Sequence, residues 1–243
     1  MAATAWALLA GAAAGQEACK LVPIGSAGIA DVRDGRTLTL ADGRELRLAA
    51  IEAPEESRAT LQALVGAGKL RLETLGAGRD RYGRVVAFAF AGESRDSLQQ
   101  ALLAQGRARV SSRVGNRACA EGLLAAEREA RAARRGLWAD PNFAPLAAEN
   151  LTGIQAKAGR FALVEGRVLS VRESGATIYM NFGRRWTEGF TVIILRRLGR
   201  TFAAAGLDPK ALEGRRIRVR GFIERRHGPV IEAAHPEQIE LIE

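Results

Sequence analysis

The chain has 243 residues, 47% of them hydrophobic, and a formal net charge of +9. That length allows one large domain or two small ones, and with aromatics at only 5% the cores must be built from Ala, Leu, Val and Ile. The positive balance favours polyanionic partners, nucleic acid or an anionic surface, while two His (His227, His235) and no closely spaced Cys exclude an ordinary zinc site.

In chain order, residues 1–18 carry no Lys or Arg, and 4–15 are apolar and rich in small side chains. The run is too short to span a membrane. It reads as the hydrophobic part and cleavage region of a secretory signal that lacks the usual positive start. A periplasmic or secreted location follows, and there Cys19 and Cys119 are expected to be bridged. No later run is long and apolar enough to be a membrane span.

A first domain is expected over 19–139. Asp34-Gly35 and Asp42-Gly43 mark turns around a strand at 37–40, and Leu46, Leu48 and Ala50 alternate as a half-buried strand that Pro54 ends. A helix over 56–65, strands over 70–74 and 85–90, and a helix over 97–105 stopped by Gly106 follow. The longest helix is predicted at 120–135, with Leu123, Ala126 and Ala130 on one buried stripe and arginines in its last turn. Residues 140–159 have no period and read as a linker. A second domain over 160–243 shows three strands, a helix and two strands, the order of a small Greek-key barrel. The fold class is therefore mainly β with helices: two OB-type five-stranded barrels in tandem, the first with three helices.

Five segments of the first domain stand in a telling order: Asp34-Gly35 followed by Thr37; Arg47-Leu48 with Ile51-Glu52-Ala53-Pro54-Glu55; Asp80-Arg81-Tyr82-Gly83-Arg84; Gln105-Gly106 with Ala108-Arg109-Val110; and Arg134-Arg135-Gly136-Leu137-Trp138. Together, over residues 28–138, they resemble the thermonuclease family of staphylococcal nuclease-like proteins. The chemistry suits these residue types. Phosphodiester cleavage needs charge neutralised on the phosphoryl oxygens, which two forked guanidiniums do well, and a water activated by a base.

The resemblance implies that Arg47 and Arg84 clamp phosphate, that Glu55 is the general base or positions the water, and that Glu52 stands at a carboxylate ligand of calcium. Tyr82 falls on the nucleic-acid-binding side. The sequence departs from the family at the metal: Arg36 occupies a position where the family has an aspartate ligand, leaving Asp34 as the nearby substitute. Calcium is thus a weakened expectation, with no cofactor as its alternative.

In the second half, Arg216, Arg218 and Arg220 alternate with Ile217 and Val219, so one strand face carries three guanidiniums. Arg184, Arg185, Arg196, Arg197, Arg225 and Arg226 add charge, and Tyr179, Trp186 and Phe190 are aromatic neighbours. A basic groove with aromatics is how OB-folds hold single strands; solvated arginines beside core aromatics would give the same pattern. Two functions follow: an exported nuclease acting on DNA or RNA, or a non-catalytic binder of nucleic acid or an envelope polymer.

Overall fold

The structure, a computed structural model, describes residues 19–184 and 189–242. The leader expected at 1–18, and Arg185 and Trp186, lie outside the described residues.

Strands β1 (Val22–Val32), β2 (Thr37–Leu40) and β3 (Glu45–Leu48) form the expected antiparallel meander. After β4 (Ile51–Glu52) and helix α1 (Arg58–Val65), strands β5 (Lys69–Thr74) and β6 (Val85–Ala91) close a barrel in the order β1-β2-β3-β6-β5. Its interior is aliphatic, with Leu38, Leu40, Leu46, Leu48, Leu70 and Ala89 all buried. The strand expected through Ala50 stops at Leu48. Ala50 sits at φ 64°, a left-handed conformation that turns the chain out of the barrel. β4 instead pairs with β7 (Arg109–Val110).

Between β6 and β7 lies α2 (Leu98–Ala104), whose Ser97 and Gln100 form a reciprocal capping box. α3 (Arg117–Ala132) follows, capped by the Asn116 side chain accepting from the Cys119 N–H. The Gly106 and Arg135-Gly136-Leu137 segments cross here. Leu137 N donates to Gly106 O at 2.8 Å, and a Cβ on Gly106 would fall 2.1 Å from the Arg135 carbonyl. Only glycine fits, which explains why those two short motifs belong together. Cys19 and Cys119 are bridged, with Cα atoms 4.6 Å apart and 100 residues between them in sequence. In the chain-entropy model such a closure stabilises by about 4–5 kcal/mol.

The rest of the chain departs from the expected linker plus five-stranded barrel. Residues 140–159 are folded: β8 (Leu146–Ala147) pairs in parallel with β9 (Phe161–Arg167), and α4 (Leu151–Ala156) buries Ile154 completely. Their Ala-rich composition hid a sheet edge. Strands β10 (Ser170–Ser174), β11 (Thr177–Asn181) and β12 (Thr191–Leu195) precede α5 (Gly199–Ala204). Then come β13 (Arg216–Phe222), β14 (Glu224–Arg225), β15 (Pro229–Glu232) and β16 (Ile239–Leu241).

These strands build two sheets, β10-β11-β12-β15-β14 and β16-β13-β9-β8, and no second closed barrel forms among the described residues. Val164, Ile217, Val219 and Ile239 of one sheet pack on Ile178, Met180, Val192, Ile194 and Ile231 of the other. Phe182 and Phe190 are part of this core, their rings 5.2 Å apart. No helix among the described residues is long and apolar enough to cross a membrane.

The two units meet along α3 and β13. Ala130 and Trp138 pack against Phe161 and Leu163. Beside them, Arg109 donates to Phe161 O at 3.2 Å and lies over the rings of Phe143 and Phe161.

Candidate nucleic-acid site on the barrel

A cleft of about 790 Å³ opens on the barrel. Arg47 and Arg84 line it with Tyr82, Arg79, Arg81 and Arg113. The barrel's strand pairing creates the cluster. Thr37 lies opposite Arg47 across β2 and β3, and Arg47 lies opposite Val86 across β3 and β6. Arg84 precedes Val86 by two residues, at the mouth of the Asp80-to-Arg84 turn.

That turn is built by one carboxylate. Asp80 Oδ1 accepts from the backbone N–H groups of Tyr82 and Arg84, and Oδ2 accepts from Arg84 Nε at 2.8 Å. The guanidinium of Arg84 is thereby aimed, and its carbon lies 5.2 Å from the centre of the Tyr82 ring. Tyr82 itself is 67% exposed, and Arg81 also lies over its ring at 4.8 Å and donates to its hydroxyl.

Arg47 is different. It is half-buried, and among the described residues its guanidinium has neither a hydrogen-bond partner nor an ion pair. Burial and the charge of Arg36 push its pKa down; Glu52 opposes this, Arg84 adds to it and Asp34 opposes it. An anion between Arg47 and Arg84 would relieve that repulsion.

The sequence-nominated carboxylates are arranged less simply. Glu55 opens a one-turn 3-10 helix after Pro54, is exposed, and does not line the cleft. Glu52 is ion-paired with Arg36. Asp34 turns inward on its own hairpin, its Oδ1 accepting from Arg36 N and Thr37 N. Among the described residues no three His, Cys, Asp or Glu side chains gather as a metal-holding group.

The guanidinium stripe of the second half is corrected. Arg218 and Arg220 share a face of β13, but that face turns onto α3. Arg220 is fully buried and binds Glu127 Oε2 at 2.9 Å, Glu127 Oε1 at 3.0 Å and also Glu240. Arg218 is mostly buried and binds Glu165 at 2.8 Å. Only Arg216 is exposed. β13 alternates as its sequence implies, and the arginine face meets another part of the chain rather than solvent.

Two sets of residues escaped sequence reasoning. Arg113, in the loop before α3, lines the cleft without any periodic signal. Glu127 anchors the interface, and its signal was present: a carboxylate between Leu123 and Ala130 on the apolar stripe of α3.

The barrel is closed, its cleft is lined by five arginines, and the tyrosine beside them is exposed. Residues 45–140 match the family model for staphylococcal nuclease homologues, a likeness over part of the chain that suggests a nuclease-type or nucleic-acid-binding role. No curated protein matches the chain.

Proposed function

We propose that this protein is an exported phosphodiesterase that hydrolyses DNA or RNA in the barrel cleft. One observation carries the reading: Arg47, half-buried and without a hydrogen bond or ion pair among the described residues, lines one cleft with Arg84 and an exposed Tyr82. Keeping an unpaired guanidinium partly out of water is unfavourable unless a ligand supplies the anion. A phosphodiester is the anion that two forked guanidiniums fit, and a base can stack on the neighbouring ring. Glu55, outside the cleft lining, takes the base's role by its place in the motif that follows Arg47. The disulfide supports an oxidising compartment.

A second reading, binding without cleavage, is favoured by the commitment of Glu52 to Arg36 and by the position of Glu55 outside the cleft. Incubating the full chain with single- and double-stranded DNA and RNA, with calcium and with chelator, separates the two. Arg84→Ala and Glu55→Ala are each expected to lower cleavage by about 10²–10³-fold, as lost transition-state contacts do. A wild type that cleaves nothing in any condition leaves only the binding reading.

A further inference from the structure

Both carboxylates nominated for calcium are already committed within the chain. Asp34 Oδ1 accepts two backbone N–H groups at 2.8 Å each, closing its hairpin. Glu52 receives Arg36 Nη1, which also donates to the Ile51 carbonyl at 3.0 Å. Calcium takes six to eight oxygens, several from carboxylates. Here a cation would meet a guanidinium lodged between the Ile51 carbonyl and the Glu52 carboxylate. The donor set does not fit calcium.

The position of Arg36 is fixed by packing. A Cβ on Gly35 would fall 2.2 Å from Pro54 O and 3.2 Å from the Ala53 side chain, so the hairpin lies flat on the segment that follows Glu52. Leu48 N donates to Arg36 O at 2.8 Å, which sets Arg36 against the β3 strand that carries Arg47. The described bonds of the Arg36 guanidinium engage Nη1, leaving its other N–H groups for a ligand.

We propose that Arg36 takes the metal's place, so that Arg36, Arg47 and Arg84 form a phosphodiester-binding site for nucleic acid that works without a divalent cation. The proposal rests on the phosphodiester reading given above. Charge arithmetic favours it. A dication held by Glu52 and a carboxylate at position 36 would be neutral overall, and so is Arg36 with Glu52, Asp34 being common to both cases. An incoming phosphate then meets the same net charge beside the two clamps. The depressed pKa of Arg47, caused by burial first and Arg36 next, agrees that these groups share one electrostatic neighbourhood. The exchange has a chemical consequence. A guanidinium donates hydrogen bonds but cannot bind water and lower its pKa as a metal does, so the site holds phosphate better than it hydrolyses it.

The test measures binding of a fluorescent single-stranded oligodeoxythymidylate to the full chain by anisotropy, in EDTA and in calcium. The wild type is expected to bind equally in both, within about twofold, and to give no calcium-binding heat in calorimetry. Arg36→Gln, which removes the charge and keeps a shorter polar side chain, should weaken binding in EDTA and reduce the salt slope by about 0.7, the loss of one phosphate contact on a single strand. Arg36→Asp should bind more weakly still in EDTA and recover in calcium, with a calcium-binding heat that the wild type lacks. Thermal melts of both variants check that they fold. Oligonucleotide binding by the wild type that needs calcium, or an unchanged salt slope in a folded Arg36→Gln, overturns the metal-free site and leaves the phosphodiester reading standing. Failure of the wild type to bind any oligonucleotide in either condition overturns both.

Discussion

Two groups of arginines in this molecule face opposite circumstances. In the cleft, Arg47 has no ion pair among the described residues and Arg84 has the single carboxylate of Asp80; beyond its lining, Arg36 has Glu52. Between the two units, Arg220, Arg218 and Arg131 are matched by Glu127, Glu240 and Glu165 through contacts of 2.8–3.9 Å, with one shorter still. The buried group is balanced and the cleft group is cationic. A guanidinium is thus a joint where the fold supplies its anions and a binding site where it does not. The side chain is the same; the number of carboxylates within reach decides.

The largest effect expected on stability is at the joint. Removing Glu127 leaves Arg220 charged, fully buried and short of a partner, and breaking a buried pair this way costs about 3–5 kcal/mol. Glu127→Ala should therefore shift the chemical-denaturation midpoint strongly, while Arg47→Ala in the cleft should leave it nearly unchanged. Equal shifts in the two variants would erase the distinction between joint and site.

A pH titration sharpens the same contrast. Burial alone would raise the pKa of Glu127, but the charge and hydrogen bonds of Arg220, the Val110 N–H and Arg131 hold it below the ordinary carboxylate value. A carboxylate depressed in the folded state stabilises above its unfolded pKa of 4.5, and that contribution is lost as pH falls through the folded value. Glu127→Gln should lower stability at neutral pH and flatten its loss under acid. An acid limb as steep as the wild type's would show that Glu127 is not the group being titrated.

The smallest effect belongs to Asp80. Its pair with Arg84 is about one-fifth exposed, where such pairs contribute up to about 1 kcal/mol. Asp80→Asn keeps an acceptor for the turn's backbone N–H groups and should cost less than that in a thermal melt. A larger loss would place Asp80 among the groups the fold depends on.

The barrel was legible in the sequence because its signals are local. Asp-Gly turns, period-two aliphatics and the stripe of α3 each specify an element with little outside help. The Cys19–Cys119 bridge was legible for another reason: only two cysteines are present. What could not be read was long-range partnership. β13 alternates as expected, but nothing in its own residues says that the arginine face will meet Glu127 rather than water. β8 is two residues long, and its pairing depends on β9 being present. At the site, Arg47 and Arg84, which the motifs assign to phosphate, line the same cleft. The contact of Arg36 with Glu52 and the Ile51 carbonyl needed the packing of Gly35 on Pro54 to become visible.

The joint also sets an order of assembly. Glu127 and Arg220 stand 93 residues apart in the chain. A chain made N-terminus first exposes Glu127 on a helix that can already fold, and at about 5–20 residues per second its partner follows on the order of five to twenty seconds later. β9 arrives first, its Phe161 and Leu163 covering the Ala130 and Trp138 patch, and Glu127, already bonded to the Val110 N–H and to Arg131, gains Arg220 only when β13 follows. A chain halted between β9 and β13 would have its apolar patch covered but would leave Glu127 without the Arg220 guanidinium that completes the joint.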